Sequence, residues 1–407
     1  MRVIKYSKSA LEKIYNRQNK SKRGIESKVR KIVEDVRSHG DEALIKYTQK
    51  FDGLKLTPRQ IRVGENEINA SYQNIPPKFI DTLKIAIDNI NKFYKKQLKK
   101  SWKIKDTDGV SLMQRYQPLE RVGIYIPAGS APLVSSVYMT VTLAKLAGVK
   151  EIVLATPPNK FKTVDPYILA VANLLEVKEI YKIGGAQAIA ALAFGTKIIP
   201  KVDKIVGAGN MYVAEAKRQV YGYVDIDMVA GPSEVVVIAN QYSNPEFVKA
   251  DLLAQSEHFM GSSFLVTTSK TLINTLKKEN LTGVTAIKVK NLQEAVEITN
   301  RIAPEHLQIM IKSPNAILKE IKNAGAIFLG AYTPTAVGDY IAGPSHVLPT
   351  GGTARFFSGL NLADFYKSMH IISYSKKALE KVCEPIKAIS SLEGLEKHKQ
   401  SIEVRFK

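Results

Sequence analysis

Apolar residues recur every three or four positions through the first third of the chain. Val29, Ile32, Val33 and Val36, followed by Ala43, Leu44 and Tyr47, predict two helices within 26–50, with Gly40 as the break between them. Phe79, Leu83, Ile87, Ile90 and Phe93 predict another over 78–97, with a basic outer face. From about residue 120 the period changes. Short β-branched runs at 123–126, 151–155, 179–183 and 203–206 alternate with helical stretches such as 137–146 and 187–194. A second series of runs follows at 234–238, 264–268, 286–289, 306–311 and 326–329. Strands that alternate with helices are the mark of βαβ crossover units and parallel sheets, so the expected class is α/β with two doubly wound sheets. The rhythm ends near Gly359-Leu360, and the remainder reads as a mostly helical tail.

Gly and Pro cluster at the ends of these runs, at Pro127-Ala128-Gly129, Gly184-Gly185, Gly207-Ala208-Gly209, Gly231-Pro232 and Gly343-Pro344. Open α/β sheets bind ligands at the carboxyl ends of their strands, and the chemistry is expected there. A length of 407 residues, with 45% apolar and 24% charged side chains, is ordinary for a globular chain of two to four domains. No apolar run approaches the ~20 residues of a membrane span, and the N-terminus has no apolar signal-peptide core. The single cysteine, Cys383, excludes an internal disulfide or a Cys-rich zinc site, so any metal must be held by nitrogen and oxygen. A cytoplasmic protein is expected, with no membrane partner.

The net charge of +21 raises the question of nucleic acid. Residues 1–120 carry 27 basic and 14 acidic side chains, so more than half of the excess lies in the helical first third. Most of it is lysine, as in Lys95-Lys96 and Lys99-Lys100, whereas phosphate and guanine recognition favours the planar fork of arginine. With no nucleic-acid-binding motif present, a solvated lysine-rich face is the better reading.

Several short motifs carry chemistry. Gly207-Ala208-Gly209-Asn210 and Gly184-Gly185-Ala186-Gln187 both fall short of the dinucleotide fingerprint, yet each opens a helix whose free N–H groups suit a pyrophosphate. On residue pattern alone, a plain strand-to-helix turn and a nucleotide site both stay open. Gln255 and His258 stand three apart on a predicted helix and so share a face able to reach one cation. Glu305 and His306 follow Pro304 at the entrance to a strand, and both enter one cleft only if that turn breaks the alternation of the strand. Asp339 and His346 lie in the run Gly338 to His346, and Glu393 and His398 converge only across a turn near Gly394. Four of the six histidines, His258, His306, His346 and His398, fall within these groups. An imidazole-rich site assembled from distant segments follows.

Read together, these residues closely resemble the histidinol dehydrogenase family. The likeness runs over almost the whole chain: Arg121 to Pro127, Gly184 to Thr196, Val202 to Ile205, Gly207 to Asn210, Ala230 to Glu234, Gln255 to His258, Ala303 to Leu307, Gly338 to Tyr340, His346 to Thr350, and the motif with Glu393 and His398. The resemblance implies oxidation of L-histidinol through L-histidinaldehyde to L-histidine with two NAD, the last steps of histidine biosynthesis. It implies a metal, usually zinc with manganese or cobalt also suited, on Gln255, His258, Asp339 and His398. Glu305 and His306 match the acid/base pair. Ser233, His346 and Glu393 match substrate contacts alongside His306 and the metal ligands, and Tyr125, Gln187 and Asn210 match NAD contacts.

The same resemblance implies two incomplete Rossmann-like domains, one inserted in the other, in a homodimer with exchanged tails. The expected divisions are an N-terminal extension at 1–21, a larger catalytic domain at 22–124 with 234–360, an inserted NAD-binding domain at 125–233, and a tail at 361–407 that completes the partner subunit's site. Three positions depart from the family pattern: Ala128, Ala208, and Phe259-Met260 after His258. Two other readings predict different behaviour. A related dehydrogenase of the same fold would act on another small amino or sulfonated alcohol, against which the presence of both His346 and Glu393 counts. A non-enzymatic basic protein would bind RNA or DNA in a salt-sensitive way and leaves the histidines unexplained.

Overall fold

The computed structural model describes residues 1–5, 8–17, 24–128, 131–257, 260–279 and 281–407. The first two apolar repeats fold as the helices Ile25–His39 and Asp41–Asp52, joined at Gly40, whose positive φ of 52° costs a glycine no steric clash. Their buried faces are the apolar positions of the repeats, and they pack on the alanine-rich helix Gly185–Phe194. The helix Pro77–Tyr94 follows, started by a proline in its first turn.

The strands are β1 (Arg2–Lys5), β2 (Trp102–Lys105), β3 (Ser111–Pro118), β4 (Arg121–Tyr125), β5 (Glu151–Thr156), β6 (Glu179–Lys182), β7 (Lys204–Val206), β8 (Asp225–Ile226), β9 (Glu234–Ala239), β10 (Ser262–Thr267), β11 (Val284–Lys288), β12 (His306–Met310), β13 (Ala326–Leu329) and β14 (Tyr366–Ser373). They divide between two units of the chain. The larger is Met1–Lys96 with Leu119–Phe365, and the smaller is Gln97–Pro118 with Tyr366–Lys407.

The larger unit holds two wholly parallel sheets, in the orders β6-β5-β4-β7-β8 and β1-β11-β10-β9-β12-β13. Apart from β1, both follow one winding: three strands laid outward in one direction, then two in the other. This is the doubly wound, Rossmann-like α/β arrangement, and each sheet has a point where the winding reverses, between β4 and β7 in one and between β9 and β12 in the other. Helices cover both faces of the second sheet, so β9 reads Glu-Val-Val-Val-Ile-Ala with every residue buried. Val236, Ile238, Leu307 and Ile309 pack toward the helix Leu292–Ile302, while Val235, Val237 and Met310 pack toward Pro245–Ser256.

The smaller unit is a three-stranded antiparallel sheet, β14-β3-β2, with the helices Lys376–Leu392 and Glu396–Glu403. Among the described residues no helix is long and apolar enough to cross a membrane.

One expectation needs correction. The first third is not all helix, since it contains β2 and β3. The N-terminal residues add β1 as an edge strand beside β11, and the tail, mostly helical as expected, opens with β14 paired to β3. These strands escaped the sequence because β1 and β2 have four residues each and β14 is exposed along most of its length, so none carries a sustained two-residue alternation against a core.

Leu307, fully buried on a central strand, tests this layering. Leu307→Ala should lower the free energy of unfolding by about 2–5 kcal/mol, whereas Ile85→Ala on an exposed helix face should change it by less than about 0.5 kcal/mol. Chemical denaturation of both variants checks the difference.

Candidate active site

Glu305 and His306 stand at the amino end of β12, directly after the helix Leu292–Ile302. That helix is ended by Ala303 in the left-handed conformation, φ 48°, and Pro304 forbids its continuation. The turn breaks the strand's alternation, so the two side chains meet: Glu305 Oε2 lies 3.7 Å from His306 Nδ1. Both are buried, at 6% and 3% exposure. The carboxylate accepts from Ser233 Oγ at 2.5 Å and from the Glu234 backbone N–H at 2.9 Å. Gly325 permits the approach of the next strand, since a Cβ there would sit 2.6 Å from the Glu305 carbonyl.

Burial pushes the Glu305 carboxyl up to about 7, against the opposing pull of His306 and the two hydrogen bonds. Burial alone would lower His306, but the neighbouring carboxylates of Glu305 and Asp339 outweigh it and push the imidazole up to about 9.

Asp339 comes from the short helix Thr335–Tyr340, and its Oδ1 lies 3.2 Å from His306 Nε2. The helix comes this close because residue 338 is glycine: a Cβ would meet the Phe328 ring at 2.6 Å, and that ring lies 5.8 Å from the His306 imidazole. His346 Nδ1 is 2.9 Å from the Asp339 carbonyl, and its Nε2 is 3.3 Å from Ser136 Oγ. The backbone around His346 is braced by the helix Pro77–Tyr94. The Tyr94 hydroxyl accepts from the Ser345 N–H at 2.8 Å and donates to the Leu360 carbonyl at 3.0 Å, and Asn89 Nδ2 donates to the Ile341 carbonyl at 2.8 Å.

Gln255 lies at the carboxyl end of the helix Pro245–Ser256, 4% exposed, with its amide Nε2 buried and without a hydrogen-bond partner. One turn earlier, Asp251 accepts from Gln308 Nε2 at 2.5 Å. Gln308 is two residues along β12 from His306, and the helix runs antiparallel to the strand it covers. A helical turn and a two-residue strand step each advance roughly 6 Å, so Gln255 falls level with His306. A buried amide left unpaired beside a cluster of acid and imidazole groups is suited to a ligand.

The candidate cofactor side lies on the other sheet. Tyr125 ends β4, and its buried hydroxyl accepts from the Gly185 N–H at 3.1 Å. Gln187, 1% exposed in the first turn of the helix Gly185–Phe194, has a buried Oε1 with no partner. Asn210 caps the helix Met211–Val220: its Oδ1 accepts from the N–H groups of Tyr212 and Val213 at 3.0 and 3.1 Å, so its amide NH2 is the group left to face outward. Gly207 is held on both sides. Its N–H donates to Asp227 Oδ2 at 2.8 Å, its carbonyl accepts from Lys217 Nζ at 2.9 Å, and Lys217 and Asp227 pair with each other out of solvent. No larger residue fits, because φ is 109° and a Cβ would lie 2.3 Å from the Tyr125 carbonyl.

The candidate groups of the two sheets stand at opposite strand ends. Tyr125 and Gly207 are at the carboxyl ends of β4 and β7, but Ser233, Glu305 and His306 gather at the amino ends of β9 and β12. The structure thus brings together Ser233, Glu305, His306, Asp339 and His346, with Gln255 level with them. His258 and Phe259 lie outside the described residues. Glu393 and His398 belong to the smaller unit, where Gly394, φ 72°, separates the two helices as the sequence required. Among the described residues no group of three or more His, Cys, Asp or Glu side chains forms a metal site.

A family profile described as histidinol dehydrogenase matches residues 15–406. The histidinol dehydrogenase of Caldanaerobacter subterraneus subsp. tengcongensis is 50% identical, across 97% of this chain and 95% of its own. That of Clostridium acetobutylicum is 47% identical, across 97% and 96%. The crystal structure of histidinol dehydrogenase from Elizabethkingia anophelis superposes with a TM-score of 0.91 at 37% identity, covering 100% of this chain and 98% of that one. The chain belongs to the histidinol dehydrogenase family. It is an enzyme, and its class is that of the oxidoreductases.

Several residues at or near these sites had no reading of their own in the sequence. Ser136, Asp251, Lys217 and Asp227 act through partners distant in sequence, which no local pattern reports. The one available signal was a charged residue at the head of an apolar run, as at Glu234.

Asp52 is another. It ends the helix Asp41–Asp52, and its Oδ2 is buried without a partner. Burial pushes its carboxyl up to about 6, above the value in an unfolded chain. Such a group disfavours the fold while ionised, at pH above about 6, and the cost vanishes as pH falls below the usual carboxylate range. Asp52→Asn should therefore raise the melting temperature at pH 8 and leave it nearly unchanged at about pH 4. Thermal melts at both values check this, and an equal shift at the two would contradict it.

Proposed function

We propose that this enzyme oxidises L-histidinol through L-histidinaldehyde to L-histidine with two NAD, closing histidine biosynthesis. The observation that carries the reading is the buried Glu305–His306 pair, two groups of opposite proton demand held 3.7 Å apart at one end of a parallel sheet. An alcohol must lose its hydroxyl proton as hydride leaves, and His306 takes it in its neutral form, which gains ground as pH rises toward about 9. The aldehyde must then add water, and Glu305 takes the proton of that water as it attacks. The hydrated aldehyde gives up a second hydride to a second NAD and a hydroxyl proton to His306, which has by then released the first proton to solvent, and so becomes the acid. NAD, when bound, supplies the hydride acceptor, and Tyr125, Gln187 and Asn210 are the residues that would hold it; the unpaired Gln187 amide supports this.

Gln255, His258, Asp339 and His398 would hold the metal, zinc in the first instance. The all-oxygen-and-nitrogen donor set fits such an ion, with Gln255 contributing its amide oxygen. When bound, it would orient the substrate amine and imidazole and polarise the reacting carbon. Ser233, His346 and Glu393 complete the grip on substrate. We assign the NAD side to the inserted segment 125–233 and the acid/base side to the larger segment, 22–124 with 234–360.

We also propose a homodimer in which the tail of one chain completes the site of the other. The smaller unit supports it. Of its described residues only Ala378 and Ser390 are buried, while Trp102, Ile104 and Ile372 are 48%, 58% and 69% exposed. A sheet with no apolar core of its own needs a surface to cover it, and a second copy supplies one.

NADH formation from L-histidinol, before and after chelation and metal reloading, tests the reading, and absence of turnover in the loaded enzyme would contradict it. Glu305→Gln should slow the aldehyde-to-acid step by roughly 10²–10⁴-fold and leave the first hydride transfer, giving one NADH per site in a single turnover instead of two. The exchanged tail has its own test. Mixed dimers of the inactive variants His306→Asn and His398→Asn should regain activity, because one of the two sites then receives both intact residues. Without exchange the mixture stays inactive.

A further inference from the structure

The N-terminal segment reaches the acid/base pair through one side chain. Arg17 follows the helix Lys8–Tyr15, and its guanidinium forks onto a carboxylate 217 residues away: Nε and Nη2 donate to Oε2 and Oε1 of Glu234, each at 2.6 Å. Nη2 also donates to the Ile302 carbonyl at 2.8 Å, and Nη1 to the Ile14 carbonyl at 3.0 Å. Glu234 is 2% exposed, so the fork satisfies a carboxylate that has no water to turn to. Gly352 leaves the room: a Cβ there would lie 3.6 Å from both terminal nitrogens and 3.2 Å from the Ile302 carbonyl. Beside the fork, the Arg301 guanidinium lies 4.2 Å above the Tyr15 ring and ties the same segment to the same helix.

The two groups that Arg17 grips are the two backbone approaches to Glu305. Glu234 carries the N–H that donates to Glu305 Oε2, and Ile302 is the last helical residue before the Ala303-Pro304 turn that delivers Glu305. We infer that Arg17 is a positioning residue for the reaction: it fixes where the Glu305 carboxylate stands against His306, and it neutralises a second buried carboxylate beside that pair. A planar, bidentate fork that also reaches a third acceptor is a role lysine cannot reproduce.

This inference rests on the acid/base reading of Glu305 and His306, and its test separates the two. Arg17→Ala should lose kcat for L-histidinol by roughly ten- to a hundredfold with KM for L-histidinol and NAD within about twofold. Guanidinium chloride at low millimolar concentration should restore part of the loss, and Arg17→Lys should not reach wild type. A wild-type kcat in Arg17→Ala, or a loss that guanidinium leaves untouched, overturns the proposal. Should that variant fail to fold, Arg17→Gln with Glu234→Gln removes both charges at once. It should fold, show the same kcat loss, and exchange the amides of 303–307 faster than wild type; unchanged kcat and unchanged exchange overturn the proposal. If the wild-type enzyme does not oxidise L-histidinol, the acid/base reading fails while hydrogen exchange still decides the role of Arg17, faster exchange supporting it and unchanged exchange refuting it.

Discussion

The parallel pairing of β9 with β12 is the constraint on which the site depends. Its register sets His306 against Val235, and so places Ser233 and Glu234, at the start of β9, beside Glu305, the residue just before β12. Only in that arrangement does a strand N–H, that of Glu234, reach the Glu305 carboxylate. A carboxylate taken out of water is costly unless its lone pairs are filled. Here they are filled by a hydroxyl, a backbone N–H and the field of an imidazole, which leave the group buried yet within reach of ionisation near neutral pH.

The two parallel sheets share one winding but use opposite ends of it. At the carboxyl ends of β4 and β7 the chain turns into helices, and helix N-termini offer free N–H groups that suit a phosphate-bearing ligand. At the amino ends of β9 and β12 the chain arrives from a helix and a loop, and the first strand N–H groups are available to hold a carboxylate. The proposed anion-binding and proton-transfer groups thus fall on different ends of the same architecture for one reason: each end exposes a different set of unpaired backbone groups.

Buried charges do the bracing. Lys217 and Asp227 hold both faces of the peptide at Gly207, and Arg17 with Glu234 holds both approaches to Glu305. Apolar residues of the same volume would pack as well, but they would not fix a backbone N–H or carbonyl in one orientation. Glycine has the complementary role. Residues 207, 325 and 338 are places where a single Cβ would push apart elements that carry the site.

The periodicities were sufficient for the two doubly wound sheets and for the helices of the first third, because long amphipathic helices and fully apolar strands carry their pattern in consecutive residues. The glycine turns at 184–185 and 207–209 and the Glu305–His306 entrance were legible for the same reason: each is a short run of residues with unusual backbone needs. What the sequence by itself determined was the class of fold, the exclusion of an internal disulfide or a Cys-rich metal site, and the residue types from which a site could be made. Only the tertiary structure decided which of them meet. β1 with β11 and β3 with β14 pair across hundreds of residues without local signal, and Arg17 and Glu234 are 217 positions apart. Their meeting is fixed by sheet register and helix packing, which depend on the whole core and are written in no segment of the chain.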